Sequence, residues 1–234
     1  MGCIGVGHRG FPYAFPANTL RSFQEAAKLG CQMVECDVRQ AADGTLVLAH
    51  DPEVRDVRGH VYKIAEQTAE ALAKIDLGAG EGVPRLEELV AWARGRVAVM
   101  ADMKCEGGDI EEKVVAALSP LGSEEKIVAG AGTESRARFR QLDPTLPLSL
   151  TLSRREETLL QAKAFSEWIA ELDTPIVTWE FPLLTPERIE VLRAYGKRIC
   201  VWTVDEEALM GHFYALVDGI ITNRADRLKT LGLL

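Results

Sequence analysis

Four short stretches place groups capable of proton transfer and charge neutralisation where apolar runs would otherwise end. Gly5-Val6-Gly7-His8-Arg9-Gly10 carries an imidazole and a guanidinium. Met33-Val34-Glu35-Cys36-Asp37-Val38 sets two carboxylates inside an apolar run, and Leu46-Val47-Leu48-Ala49 leads into His50-Asp51. Asp102-Met103-Lys104 ends the run from Val97. Carboxylates inside apolar segments are rare unless paired or bound to a metal. Glu35, Asp37 and Asp102 form an oxygen-rich set suited to a hard cation, Mg2+ or Ca2+. Without a cation, three like charges in a poorly solvated place raise one another's pKa. His8 and His50 suit a general acid and base pair, because imidazole titrates near neutrality. Arg9 and Lys104 supply local positive charge for an anion. Simple ion pairing, Glu35 with Arg9 and Asp102 with Lys104, is the competing explanation. The number of charged groups gathered weighs against it, since burying charge is costly. His60 and His212 lack such a setting and are expected at the surface.

The elements that must position these groups alternate. Apolar runs occur at Cys3–Gly7, Met33–Val38, Val97–Met103, Ile127–Gly130, Leu146–Leu152, Ile176–Trp179, Ile199–Val204 and Gly219–Thr222. Helical patterns separate most of them: Asn18–Leu29, Ile110–Leu118, Glu134–Leu142, Glu156–Ile169, Pro186–Tyr195, Glu206–Leu216 and Ala225–Leu231. Asn18 or Thr19 can cap the first helix, and Gly30 and Gly196 fall where helix C-terminal glycines belong. Eight strand–helix units in 234 residues predict an α/β fold, a (β/α)8 TIM barrel, as one domain over 1–234. A doubly wound sheet is the competing architecture. Residues 5–10 have the letters of GxGxxG, but His8 and Arg9 occupy the turn, so a dinucleotide site is set aside.

One gap breaks the rhythm. Between Val38 and Val97, Asp43-Gly44 marks a turn and Thr45–Ala49 a short extra strand. About 51–82 is polar and predicts a small loop insertion after the second barrel strand, and Pro84–Trp92 a helix entering the third. Side chains alternate along a strand, so Glu35 and Asp37 share one face about 6.6 Å apart. Val34, Cys36 and Val38 take the other, toward the helices. Barrel active sites lie at the C-terminal ends of the strands, where all these groups fall.

Composition narrows the classes. The chain is 47% hydrophobic and 26% charged, with a net charge of −8 and no Lys/Arg block, so nucleic acid is not an expected partner. Five cysteines without a CxxC predict buried thiols in a reducing compartment. No apolar run reaches the roughly 18 residues of a membrane span. A strand follows Met1 almost at once, so no signal peptide is expected and the cytoplasm is the default. The oligomeric state is not readable.

The chain resembles the glycerophosphodiester phosphodiesterase family, a PI-PLC-like phosphodiesterase barrel. The resemblance rests on His8-Arg9-Gly10, Pro16-Ala17-Asn18-Thr19-Leu20, Glu35-Cys36-Asp37-Val38, Asp43-Gly44, His50-Asp51, Asp102-Met103-Lys104, Val201-Trp202-Thr203-Val204 and Asp218–Asn223. It implies a metal-dependent barrel that hydrolyses small glycerophosphodiesters to an alcohol and glycerol 3-phosphate, within lipid and glycerol metabolism. It implies Glu35, Asp37 and Asp102 as metal ligands, His8 and His50 as the acid–base pair, Arg9 and Lys104 near the phosphate, and Trp202 in the substrate pocket. It further implies that a substrate hydroxyl beside the diester attacks phosphorus. Two residues depart from the family pattern: Ala17 stands for a glutamate and Asp102 for a longer glutamate. Asn223 stands where aspartate is common. The departures keep open a weakened barrel that binds a phosphorylated ligand, and a lysophospholipase D-like activity is the alternative within the class.

Overall fold

The structure is a computed structural model that describes residues 2–154 and 165–234. Eight parallel strands form the barrel: β1 (Ile4–His8), β2 (Met33–Gln40), β6 (Ala98–Met103), β7 (Lys126–Ala129), β8 (Ser149–Leu152), β9 (Ile176–Glu180), β10 (Arg198–Trp202) and β11 (Gly219–Thr222). They run in the order β7-β6-β2-β1-β11-β10-β9-β8. A parallel bridge between Val128 and Leu148, with Val128 N–H donating to Pro147 O at 2.9 Å, joins the two ends. The α/β barrel read from the sequence is the observed fold. Most of the stretch expected as a helix over Glu156–Ile169 lies outside the described residues; a helix is seen at Phe165–Ala170.

Outward side chains of the strands pack under the helices. Val34, Cys36, Val38 and Val99 join Phe23, Leu86, Leu89, Val90 and Val114 in one cluster. Inside the barrel a smaller cluster, including Val6, Met33, Met100, Ile127, Ile176 and Ile221, fills the floor. Above it the inward positions turn polar, and there the site forms. Parallel register sets the placement: His8 pairs with Glu35, and Asp37 with Asp102.

The first helix, Leu20–Leu29, is capped by Thr19, whose hydroxyl accepts from Ser22 N–H, and closed by Gly30 at φ 117°. Asn18 is therefore not the cap, and its buried amide serves the site instead. Gly10, at φ 87°, lies against Ser22, where a Cβ would meet backbone at 2.5 Å.

The insertion differs from the expected loop. After β2, β3 (Leu46–Leu48) returns antiparallel on Val38–Gln40. A hairpin of β4 (Glu53–Arg55) and β5 (Val61–Lys63), a 3-10 turn at Ile64–Glu66 and a helix at Ala69–Ala73 follow. They close over a small core of Ala41, Val47, Ala49, Ile64, Leu72 and Val83. The helix expected over Pro84–Trp92 runs Leu86–Ala93. No helix among the described residues is long and apolar enough to cross a membrane.

Candidate active site

His8, Arg9, Glu35, His50, Asp102, Lys104 and Trp202 line one cavity of about 130 Å3 at the C-terminal mouth, over Met100, Ala129 and Ile221. Asp37 is fully buried behind Arg9 and Lys104, with which it pairs. All eight sequence-predicted site residues thus come together. His60 and His212 are exposed, as expected.

The two carboxylates of β2 are held differently. Glu35 accepts the Arg9 backbone N–H at 2.9 Å, while the Arg9 side chain reaches Asp37, Nε to Oδ2 at 3.0 Å. Of the two ion pairs in the competing explanation, Asp102–Lys104 forms, whereas the Arg9 side chain pairs with Asp37 and not with Glu35. Arg9 sits at φ 55°, which turns its N–H toward Glu35 and sends its guanidinium past it to Asp37. Asn18, also left-handed at φ 59°, donates Nδ2–H to Asp37 Oδ2 at 2.7 Å and accepts Asp37 N–H at 3.1 Å. Lys104 Nζ lies 3.1 Å from Asp37 Oδ1 and donates to Asp102 Oδ2 at 2.9 Å.

These surroundings split the carboxyl groups. Burial, with the charges of Asp37 and Asp102, pushes Glu35 well above the usual carboxylate range. Burial would raise Asp37 too, but Lys104 and Arg9 outweigh it and hold that carboxyl low. Burial raises Asp102 against the pull of Lys104. Donor atoms of Glu35, Asp37 and Asp102 lie within 4.8 Å of one another. Asp37 Oδ1 and Asp102 Oδ1 are buried and accept no hydrogen bond. Asp37 Oδ1 faces Lys104 as an ion-pair partner, while Asp102 Oδ1 has no partner among the described residues; three oxygen donors with that one acceptor unspent fit a hard divalent cation. Gly130, at φ 70°, leaves room for Asp102: a Cβ there would meet Oδ1 at 1.7 Å. Ala17 is exposed beside the buried Asn18.

The histidines are each fixed at Nδ1. His8 Nδ1 is 2.8 Å from Asn223 Oδ1. Asp205, which can only accept, takes Asn223 Nδ2–H and N–H, both at 2.8 Å, and the Thr222 hydroxyl at 2.9 Å. That orients the Asn223 oxygen to His8, so the neutral ring carries its proton on Nδ1 and leaves Nε2 bare. Burial, then Arg9, lowers His8 to about 4, so it is neutral at pH 7. His50 Nδ1 meets Asp51 Oδ1 at 2.8 Å. Arg39 donates Nε–H and Nη2–H to the His50 carbonyl at 2.9 and 2.7 Å. Asn18, Arg39, Asp205 and Asn223 thus belong to the site as supporting groups. Asn18 and Asn223 lie in stretches that carry the family resemblance, which was the one signal available for them.

Fold and site together define a barrel enzyme whose mouth gathers imidazoles, carboxylates and cationic groups. The chain matches the sequence model of the Glycerophosphoryl diester phosphodiesterase family over residues 8–227. It is 30% identical over 97% of its length to a Mycobacterium tuberculosis protein named "Probable glycerophosphodiester phosphodiesterase 2", covering 90% of that protein. It is 28% identical to a glycerophosphodiester phosphodiesterase of Caldanaerobacter subterraneus, covering 99% of this chain and 98% of that one. Among solved structures, a phosphodiesterase of Oleispira antarctica in complex with the product sn-glycerol-3-phosphate superposes with a TM-score of 0.83 at 20% identity, over 98% of this chain and 96% of that one. This chain belongs to the glycerophosphoryl diester phosphodiesterase family and is a phosphoric diester hydrolase.

Proposed function

We propose that the chain, as one barrel domain with 51–82 inserted at its mouth, hydrolyses small glycerophosphodiesters to an alcohol and glycerol 3-phosphate. The observation that carries this is the shared cavity: two imidazoles with free Nε2 atoms face a cation-type carboxylate set and two cationic side chains. The Oleispira antarctica structure, with sn-glycerol-3-phosphate bound, supports the product.

Glu35, Asp37 and Asp102 are the ligands for a divalent cation, Mg2+ or Ca2+, which when bound supplies Lewis-acid neutralisation of phosphoryl charge. Arg9 and Lys104 bind the diester's remaining oxygens, and Trp202 walls the pocket. His8 Nε2, unprotonated, takes the proton from the substrate hydroxyl beside the diester as its oxygen bonds to phosphorus. His50 gives a proton from Nε2 to the departing alcohol oxygen. Water then opens the cyclic phosphate with the two roles exchanged. The free thiols accord with a cytoplasmic enzyme.

Incubation with glycerophosphocholine and Mg2+, Mn2+ or Ca2+ should release choline, and EDTA should stop it. His50→Ala should lower kcat by about 10^2–10^4-fold, the usual worth of a general acid or base. Phosphodiester binding without turnover under any metal sinks the reading and leaves the weakened barrel. One observation favours a lysophospholipase D-like activity. Tyr13 is 65% exposed on a mouth loop, and Val57 is 58% exposed in the insertion. Preferential cleavage of lysophosphatidylcholine would select it.

A further inference from the structure

The catalytic cavity, at about 130 Å3, is smaller than an ordinary ligand site and has a larger neighbour of about 460 Å3. The two share Asp102, Lys104, Thr151 and Trp202 as a common wall. The neighbour opens between the loop 130–133 after β7 and the end of β8. Its wall is apolar at Leu150, Leu152 and Trp168 and polar at Thr133 and Arg136. That shared wall leads from Lys104, beside which the diester's phosphate is proposed to bind, into the larger cavity.

Arg136 is the cationic member of that wall. Its helix neighbours Arg138 and Arg140 reach carboxylates. Arg136 has no carboxylate within ion-pair distance among the described residues. Its guanidinium is pinned along one edge, Nη1–H to Ala131 O at 2.7 Å and Nη2–H to Thr133 Oγ1 at 3.4 Å. Glu106, the acid that bears on it, is engaged by the Gly132 N–H. The helix Thr133–Leu142 begins here on Gly132, which has no side chain to cap it. The Glu106 carboxylate occupies that helix N-terminus, so the guanidinium is the cationic group left to face the cavity. A half-buried, pre-positioned fork of N–H donors suits a planar or tetrahedral anion.

We infer that this cavity is the subsite for the leaving alcohol, and that Arg136 selects alcohols bearing an anionic group, a carboxylate or a phosphate. The inference rests on the hydrolase reading above. Such a preference runs against the net charge of −8, so it must come from the site's own geometry.

Two matched pairs of esters test it. Glycerophosphoserine and glycerophosphoethanolamine differ by one carboxylate; glycerophosphoinositol 4-phosphate and glycerophosphoinositol differ by one phosphate. The anionic member of at least one pair should have a kcat/KM about tenfold higher, equivalent to about 1.4 kcal/mol. Which pair responds tells carboxylate from phosphate. Arg136→Gln should bring that ratio to about 1 and Arg136→Glu should invert it. The ratio is internal to each variant, so altered folding does not mimic the result. Cleavage of all four esters at equal kcat/KM overturns the subsite alone. Cleavage of none overturns the hydrolase reading and the subsite with it.

Discussion

Arg9 and Asn18 both hold left-handed backbone, at φ 55° and 59°. Asparagine visits that region readily, but for arginine it costs on the order of 1–2 kcal/mol. The gain is that one residue serves both β2 carboxylates, through its N–H and its side chain. Arg39 acts more indirectly, gripping the His50 carbonyl with two N–H groups and fixing the backbone from which the imidazole hangs. Arg39→Gln should lower kcat about tenfold with KM nearly unchanged, and Arg39→Lys should restore part of it, as loss of positioning rather than of binding requires. Steady-state kinetics on glycerophosphocholine decide; an equal rise in KM would mean that Arg39 supports the pocket instead. The charged members of the site were readable because a charge inside an apolar run needs a reason. Asn18 and Asn223 are neutral, and their partners lie 19 and 215 residues away, so nothing local marks them.

At the scale of elements, strand–helix alternation was legible because each unit buries an apolar face of the expected period. The insertion was not. Glu53-Val54-Arg55 and Val61-Tyr62-Lys63 are three-residue strands with little apolar content, too short to show a period. What fixes the hairpin is Asp56. Its carboxylate accepts from the backbone N–H groups of Arg58 and His60, from His60 Nδ1 at 2.9 Å and from the Tyr62 hydroxyl at 3.2 Å. Burial would raise this carboxyl, but the hydrogen bonds from His60, Arg58 and Tyr62 prevail and hold it at about 2. A carboxyl lowered on folding contributes stability above its unfolded pKa, about 3.9, and that contribution fades as pH falls through the folded value. The hairpin should therefore loosen between about pH 4 and pH 2. Proteolysis by pepsin should cut first within 53–63 in that window. Asp56→Asn, which cannot titrate, should remove the pH dependence of that cut; a variant with the wild-type profile would refute the assignment.

For the whole molecule, the direction each strand position faces decides what its ionisable side chain meets. Carboxylates facing the mouth keep polar company, whereas cysteines facing the core do not. Cys31, Cys36 and Cys200 are buried and Cys3 and Cys105 half-buried, and none is in a disulfide. Burial pushes Cys31 and Cys200 up to about 12, Asp218 adding to the rise at Cys200, and lifts Cys36 well above the usual thiol range, with the neighbouring carboxylates Glu35, Asp37 and Asp102 adding to it. A thiol at about 12 has about 10^-5 of its population as thiolate at pH 7, against a few per cent for a free cysteine. Reaction with a disulfide reagent at these three sites then requires opening of the barrel, because Cys36 and Cys200 lie on barrel strands and Cys31 packs in the same cluster as Cys36. Burial raises Cys3 to about 12 as well and lifts Cys105, so accessibility and not thiolate fraction separates the two sets: in native protein at pH 7, mass spectrometry after labelling should find slow modification, confined to the half-buried Cys3 and Cys105. In urea, labelling of Cys31, Cys36 and Cys200 should rise together, with the midpoint of the circular dichroism transition. Labelling of Cys200 well before Cys36 would mean that the half-barrel around β10 opens separately from the half around β2.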